Sequence, residues 1–314
     1  IWESGTDNSP RFDSVHRNRL LDPPLEEVDF NVFIYLLRQT LIDMAKTLGK
    51  EPPRYLQERM ELAKRSANEL MLDKKDGFYY DVWAGDTQKI NVKTFAGLLP
   101  LITDWPDDEV RARLISDYLL SEDEFNSACP VPSVSMSEPT FDSGDFWRGA
   151  NWPQITWTFI YGLKEQHPEE AAMILDKYLA TSTKKHFCNE YCNSVTGEDV
   201  GLPFQGWGTL YVDLILRHLF GIEPMVDGFR FSPLKTRYES LEVRDVKVGD
   251  LTLKITRNSS TWDLEIKDYV RLIVEDGTVF EVIHKDGVLD IYPTAPIEHT
   301  VLQPSKGNLI CVHQ

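Results

Sequence analysis

The sequence predicts a mainly α-helical protein that carries a β-rich module toward its C-terminal end. Up to about residue 220, apolar residues recur at the three-to-four-residue spacing of amphipathic helices in about seven successive segments. After Pro224 the pattern changes to short β-prone runs that turn signals separate. We therefore expect a helical domain over residues 1–224 and a β-rich accessory domain over residues 225–314.

The first helix is predicted over residues 28–48, because Gly49 and the pair Pro52-Pro53 follow the last apolar residue and end the run. A second helix, antiparallel to the first, is predicted over residues 54–72. A short extended segment at 77–83 follows between two Gly-containing turns. Further helices are predicted at 94–102, 107–120, 153–163, 169–186 and 207–220.

The β-rich module spans about ninety residues, with strands at the spacing of a small antiparallel sandwich. Turns such as Val248-Gly249-Asp250 separate consecutive runs. Strands are predicted around residues 229–231, 241–243, 251–255, 262–266, 270–274 and 279–282.

Composition excludes several classes of partner. Hydrophobic residues make up 42% of the 314 residues and charged residues 26%, as in an ordinary globular protein. A net charge of −17 argues against a nucleic-acid partner, because phosphate binding requires clustered Lys and Arg. No apolar run approaches the roughly 18 residues of a membrane span, so we expect no membrane partner. The sequence does not indicate the cellular compartment of the protein.

Four cysteines are too few for a disulfide scaffold in a chain of this length. Cys188 and Cys192 stand at a spacing that metal ligands use, but no second Cys or His pair completes a four-coordinate site. We therefore predict no metal and no other cofactor.

The first cluster of function-prone residues occupies residues 2–13. It combines the carboxylates of Glu3, Asp7 and Asp13 with Trp2 and Arg11, and a Gly and a Pro interrupt regular structure. Acids, a charge partner and an aromatic surface together are the set that sugar chemistry requires. A catalytic segment rarely begins a fold, so we expect that the first part of the natural protein is missing here.

The second cluster occupies residues 141–153, directly before a helix that Pro153 suits at its first turn. Trp147 and Trp152 flank Arg148, with two Asp residues upstream. The rings could stack on a sugar while the charged groups hold its hydroxyls. The alternative interpretation is an aromatic core with a paired Arg.

The third cluster contains Glu190, which would close the predicted helix that ends with Lys184, Lys185 and His186, and an aromatic stretch that ends near Trp207. A Glu in this position is most often a solvated charge at the end of a helix. A catalytic role for Glu190 is therefore indicated only when the other two clusters are considered with it.

Taken in order, the three clusters resemble the inverting α-glycosidases built on an (α/α)6 toroid. Glycoside hydrolase family 63 is most similar, and the trehalases of family 37 are more distant. The segments that carry the resemblance are Glu3-Ser4-Gly5-Thr6-Asp7, Trp147-Arg148-Gly149-Ala150-Asn151-Trp152-Pro153, and Glu190-Tyr191 through Phe204 to Trp207.

The resemblance implies that Asp7 is the general acid and Glu190 the general base of an α-glucoside hydrolase that inverts the anomeric configuration. Their rivals in kind are Asp13, Asp142 and Asp145 for the acid, and Glu198 and Asp199 for the base. The implied substrate-binding residues, which would stack on the sugar, hold its hydroxyls or tune the carboxylates, are Trp2, Glu3, Arg11, Trp147, Arg148, Trp152 and Trp207.

Departures from the family pattern leave the leaving group open. Ala150-Asn151 stands where these families more often have Pro-Ile or Pro-Val, and the Gly-rich stretch of trehalases does not follow Glu190. A full toroid has twelve helices, so about five should precede Ile1. The alternatives are a phosphorylase or lyase on a related toroid, a carbohydrate-binding protein without catalysis, and a purely structural helical scaffold.

Overall fold

A computed structural model describes residues 4–15, 24–85, 87–182, 189–295, 297–301 and 309–313. The chain forms two compact units. The first contains Ile1–Leu163 and Lys177–Gly208, and the second contains Lys164–Asp176 and Thr209–Gln314.

Every helical segment that the sequence predicts is present. Helix α1 spans Val28–Thr47 and packs against α2, Arg54–Ser66, which continues as a π-helical turn over Ala67–Met71. Later helical segments are the 3-10 helix Phe95–Ile102, α3 at Asp108–Arg113 with a π-helical continuation over Leu114–Leu119, α4 at Pro153–Leu163, α5 at Pro168–Ser182, and α6 at Leu210–Leu214 with a π-helical continuation over Ile215–Leu219.

The 3-10 helix Phe95–Ile102 forms the apolar centre of the first unit. Its residues from Phe95 to Leu101 are all buried, and both α1 and α4 pack against it. Pro100 inside the segment has no N–H to donate, which disfavours a regular α-helix. Among the described residues, no helix is both long enough and apolar enough to cross a bilayer.

Three two-stranded antiparallel pairs complete the first unit. The pairs are β1 (Leu25–Glu26) with β4 (Val82–Trp83), β2 (Leu72–Asp73) with β3 (Phe78–Tyr79), and β5 (Asn189–Cys192) with β6 (Asp199–Pro203). Strands β3 and β4 lie within the predicted extended segment at 77–83, whereas β5 and β6 occupy a stretch for which the sequence predicts no strand.

The second unit holds two five-stranded sheets. Their strands are β7 (Ile222–Met225), β8 (Gly228–Phe231), β9 (Ser240–Val248), β10 (Leu251–Asn258), β11 (Thr261–Ile266), β12 (Val270–Glu275), β13 (Phe280–Lys285), β14 (Val288–Pro293), β15 (Glu298–Val301) and β16 (Leu309–Val312). The strand orders are β15-β12-β11-β10-β9 and β16-β14-β13-β8-β7. Neighbouring strands are antiparallel apart from the parallel pair β14–β16.

Alternation of buried and less buried residues along β10, β11 and β12 confirms the period-two pattern that predicts these strands. The buried rings of Phe231 in one sheet and Trp262 in the other meet edge to face, with centroids 5.7 Å apart. All six predicted strand segments are confirmed as parts of β8 to β13. The sequence analysis missed β7, β14, β15 and β16.

Candidate active site

Asn8 joins the loop of Asp7 to the second cluster. Its Nδ2 donates to Asp145 Oδ1 at 3.0 Å, and its Oδ1 accepts from the backbone N–H of Trp147 at 2.8 Å. Arg148 Nη1 donates to the backbone carbonyl of Asn8 at 3.1 Å. The residue directly after Asp7 is therefore bonded at three points to the segment 145–148.

Arg148 binds Asp13 through two parallel hydrogen bonds of 2.9 and 2.7 Å. The hydrogen bonds from Asp13 raise the pKa of the Arg148 guanidinium above its ordinary value, with burial acting in the opposite direction. This pair is a second link between the first and second clusters. A contact of Arg148 with sugar hydroxyls stays a prediction.

The other end of the second cluster is joined to β5, the strand that carries Glu190. The backbone N–H of Asn151 donates to Cys192 O at 2.9 Å, and the N–H of Cys192 donates back to Asn151 O at 3.0 Å. Ser194 donates its N–H to Ser143 O at 3.0 Å. The segment 143–151 thus lies between the Asp7 loop and the Glu190 strand, so the structure brings all three clusters together.

A group of aromatic rings packs at this junction. Trp147 and Trp152 stack with centroids 4.1 Å apart, and Tyr191 stacks on Trp152 at 4.9 Å. Phe146 meets Trp152 and Tyr191 edge to face. Trp147 and Trp152 are only 5% and 3% exposed, whereas Trp207, 6.3 Å from Trp152, is 36% exposed. Among the described Trp side chains predicted to stack on a sugar, Trp207 has the most accessible ring.

Glu190 lies in β5 and is half-buried. Its carboxylate Oε2 accepts a hydrogen bond from the backbone N–H of Leu202 at 3.2 Å, and its backbone carbonyl accepts one from Trp207 Nε1 at 2.8 Å. The expected place at the end of a helix is wrong, because pairing with β6 and with Asn151 holds this backbone extended. Lys184, Lys185 and His186 lie outside the described residues.

Asp7 occupies a turn directly before the 3-10 helix Pro10–Phe12, and its side chain is half-buried. The backbone N–H of Ser9 donates to Thr6 O at 2.9 Å, and the N–H of Thr6 donates to Ser4 Oγ at 3.1 Å. Asp7 and Glu190 are thus both half-buried, so each residue is partly open to solvent. Trp2 and Glu3 lie outside the described residues.

Arg11 points into the protein beneath this turn, where its side chain is 1% exposed. Two hydrogen bonds of 3.0 and 2.9 Å join its guanidinium to Asp29, and a third of 2.9 Å reaches Thr6 Oγ1. Asp81 lies at 3.4 Å and Glu27 at 3.3 Å. The buried position makes Arg11 a group that fixes the Asp7 turn; a direct contact with substrate stays a prediction.

The charges around Arg11 are unbalanced, since its one guanidinium lies beside the three carboxyl groups of Asp29, Asp81 and Glu27. Burial, reinforced by Asp29 and Asp81 and opposed by Arg11, raises the pKa of Glu27 to about 7. Burial also raises the pKa of Asp81, while Arg11 and the N–H of Val28 oppose the rise. Burial acts to lower the pKa of Arg11, but the neighbouring carboxylates outweigh it and raise that pKa.

Cys192, which the sequence offered as half of a metal pair, faces another thiol. Its Sγ lies 2.9 Å from Cys129 Sγ and 3.6 Å from Asn151 Oδ1. Cys188 lies outside the described residues. Within the described part of the chain, no group of three or more His, Cys, Asp or Glu side chains could hold a metal ion.

Several residues of the site carry no signal that singles them out in the sequence. Asn8 is adjacent to Asp7, which is the one hint that it belongs to the site. Asn151 lies in the second cluster at a position that departs from the family motif, and its side chain donates to Thr156 Oγ1 at 2.7 Å. Asp29 and Gly201 become neighbours of the Asp7 turn and of Glu190 only through tertiary packing.

Residues 1–208 match the family model of the mannosylglycerate hydrolase MGH1-like glycoside hydrolase domain. The chain belongs to this family. This result confirms the resemblance to family 63 glycosidases that the three clusters indicate. The MGH1-like domain covers the Asp7 turn, the second cluster and the β5–β6 hairpin, so all three clusters lie within it.

The MGH1-like chain is similar to curated mannosylglycerate hydrolases. It is 30% identical over 184 residues to that of Thermus thermophilus, a match that covers 58% of this chain and 43% of the relative. It is 26% identical over 274 residues to that of Rubrobacter radiotolerans, covering 68% and 61%. A glucosylglycerate hydrolase of Mycolicibacterium hassiacum is 30% identical over 77 residues, covering 24% and 17%. The chain thus spans less than two thirds of each of these relatives.

The chain is also similar to solved structures of glycoside hydrolases. A GH63 mannosylglycerate hydrolase from Thermus thermophilus in complex with glucose matches with a TM-score of 0.58 and 25% identity, covering 69% of this chain and 61% of that one. Neutral trehalase Nth1 from Saccharomyces cerevisiae matches with a TM-score of 0.53 and 16% identity, covering 68% and 40%. The trehalase therefore shares the fold, in agreement with its place as the more distant resemblance.

Proposed function

We propose that this chain carries the catalytic residues of an inverting glycoside hydrolase that cleaves an α-glucoside. The observation that carries the proposal is the joining of the Asp7 turn and the Glu190 strand through one intervening segment, 143–151. Family membership supports the same reaction class. Asp7 would be the general acid and Glu190 the general base.

In this reaction Asp7 donates its proton to the glycosidic oxygen as the bond to the anomeric carbon breaks. Glu190 takes a proton from a water molecule, which attacks the same carbon from the opposite face of the sugar. The product then has the inverted configuration. Inversion requires the two carboxyl groups to stand about 6.5–9.5 Å apart, which leaves room for the water. The backbone N–H of Leu202 donates to Glu190 Oε2 at 3.2 Å and so fixes the orientation of the carboxylate.

The relatives suggest the kind of leaving group. Two are named mannosylglycerate hydrolases and one a glucosylglycerate hydrolase. We propose that the substrate is an α-glycoside with a small polar aglycone of the glycerate type, and that the sugar is glucose. The exposed ring of Trp207 beside Glu190 would stack on the apolar face of that sugar.

The finer architecture belongs to the same proposal. The helical segments would form part of an (α/α)6 toroid, as the likeness to a family 63 structure supports. The two five-stranded sheets would pack as a sandwich, which the contact between Phe231 and Trp262 supports.

The proposal is tested with Asp7→Asn and Glu190→Gln on glucosylglycerate, mannosylglycerate and trehalose. Each substitution removes a proton-transfer group, so we expect each to lower kcat by about 10²- to 10⁴-fold. Proton NMR of the first product formed reports its anomeric configuration. Glu198→Gln is the matched control, since Glu198 is an exposed carboxylate in the turn of the same hairpin.

Losses below about tenfold for either substitution, equal losses for the control, or a product of retained configuration would refute the assignment. Activity on trehalose alone would retain the reaction class and reject the glycerate-type aglycone.

A further inference from the structure

The hairpin that carries Glu190 contains a β-bulge directly opposite this residue. Asn189 pairs with Pro203 and Tyr191 pairs with Val200, so Glu190 alone faces two residues of β6, Gly201 and Leu202. Gly201 has a φ of +74°, the left-handed conformation that Gly adopts at many bulges. Bulges redirect side chains and are frequent beside active sites, which makes this position informative.

The bulge supplies the donor that binds the carboxylate. Because Leu202 is one of two residues that oppose Glu190, its N–H is available to the Glu190 side chain and donates to Oε2 at 3.2 Å. The Leu202 side chain is 62% exposed, so the backbone amide is the part of this residue that bears on the site.

Gly201 also supplies the space for this contact. A Cβ atom at position 201 would lie 2.9 Å from Glu190 Oε2, 2.8 Å from Glu190 Cβ and 2.6 Å from Tyr191 Cε1. All three distances are below 3.0 Å, closer than a Cβ atom approaches its neighbours in real structures. Any residue larger than Gly must therefore displace Glu190 or Tyr191. Tyr191 is held by its stacking on Trp152 at 4.9 Å, which leaves Glu190 as the group that moves.

We infer that the Gly201–Leu202 bulge is a positioning device for Glu190: it aims the carboxylate and fixes its orientation in the site. The inference rests on the proposed role of Glu190 as general base. Trp207 completes the arrangement by holding the backbone carbonyl of Glu190 at 2.8 Å.

Gly201→Ala tests the space. We expect kcat to fall by about 10- to 100-fold, the effect of losing one hydrogen bond to a charged group, while KM stays within about twofold. Gly249→Ala is the matched control, because Gly249 also has positive φ, +56°, but has open space around it and lies in the β9–β10 turn of the second unit.

Leu202→Pro tests the donor, since it removes the N–H at an edge strand where Pro is tolerated. Leu202→Ala keeps the N–H and is its control. We expect the same loss in kcat, with little change in KM, for Leu202→Pro and no loss for Leu202→Ala. The comparison of Leu202→Pro with Leu202→Ala still tests the inference if Gly201→Ala fails to fold.

The double variant Glu190→Gln with Gly201→Ala separates positioning from a structural role. If Gly201 acts through Glu190, Gly201→Ala costs nothing further once Glu190 is replaced. A further loss there, or unchanged kcat in both Gly201→Ala and Leu202→Pro while Glu190→Gln is inactive, would overturn the inference. Activity that survives Glu190→Gln would instead reject the proposed base itself.

Discussion

Asn8 is the residue that connects the proposed acid to the rest of the site. Its amide uses both ends, donating to Asp145 and accepting from the N–H of Trp147. Asp7 therefore sits on a turn whose next residue is fixed by side-chain bonds to a segment more than a hundred residues away. A small error in the position of a catalytic acid has large effects on rate, so Asn8 should matter to catalysis as well as to stability.

We expect Asn8→Ala to lower kcat by about tenfold or more and to destabilise the protein by about 1–3 kcal/mol, because Asp145 and the Trp147 N–H each lose a partner. Steady-state kinetics and urea unfolding measure the two effects. Asn126→Ala is the control: Asn126 makes comparable bonds to Leu120 O and Lys177. Similar kinetic losses in both variants would mean that Asn8 has a structural role alone.

At the scale of elements, the start of α1, strand β4 and the Asp7 turn meet at Arg11. Asp29 comes from the first turn of α1, and Asp81 directly precedes β4. Asp81 also accepts the N–H of Val28 at 2.8 Å, the first residue of α1. A buried guanidinium surrounded by carboxylates is destabilising unless each group is bonded, so the cluster fixes these three elements in one arrangement.

Glu27 makes this arrangement dependent on pH. Its pKa of about 7 in the folded protein exceeds the ordinary value of 4.5, so the folded state binds a proton more readily than the unfolded state. The resulting stabilisation is complete below about pH 4.5 and is lost as pH rises to about 7. Glu27→Gln keeps an amide oxygen as acceptor for Arg11 but cannot ionise.

We expect the difference in unfolding free energy between Glu27→Gln and the wild type to grow by about 1–3 kcal/mol in favour of the variant from pH 4.5 to pH 7.5. Urea unfolding at a series of pH values measures it. A difference that is flat over this range would show that Glu27 does not titrate there.

At the scale of the whole molecule, the second unit responds to pH in the opposite sense. His218, at the end of the π-helical turn Ile215–Leu219, is 1% exposed, and burial together with Lys164 and Arg217 lowers its pKa to about 3. The unfolded chain takes up a proton on this His below about pH 6.5, whereas the folded unit does not until about pH 3. Stability is therefore lost as pH falls through this window.

His218→Gln, which carries no charge at any of these pH values, should weaken the acid sensitivity of the second unit. Between pH 7.5 and pH 4.5 we expect the unfolding free energy to fall less in His218→Gln than in the wild type, by about 1–3 kcal/mol. Thermal unfolding of the full chain at the two pH values, followed by circular dichroism, measures this difference. Equal acid sensitivity in the two proteins would assign that sensitivity to other groups.

The sequence alone determined the helical segments, most strands of the β region and the three clusters of the site, hence the family. Helix α4 begins at Pro153 as predicted, because Pro suits a first turn and the apolar spacing extends to Leu163. These features depend on spacing along the chain and on residue chemistry, both of which a sequence displays directly.

Only the tertiary structure decided that Glu190 lies in a strand, that Arg11 points into a buried carboxylate cluster, and that Gly201 and Leu202 form a bulge against the proposed base. Each of these depends on partners 11 to 70 positions away in the chain. Which groups become buried, and which find hydrogen-bond partners, depends on the distant residues that come into contact in the folded chain. The local sequence pattern does not specify those contacts.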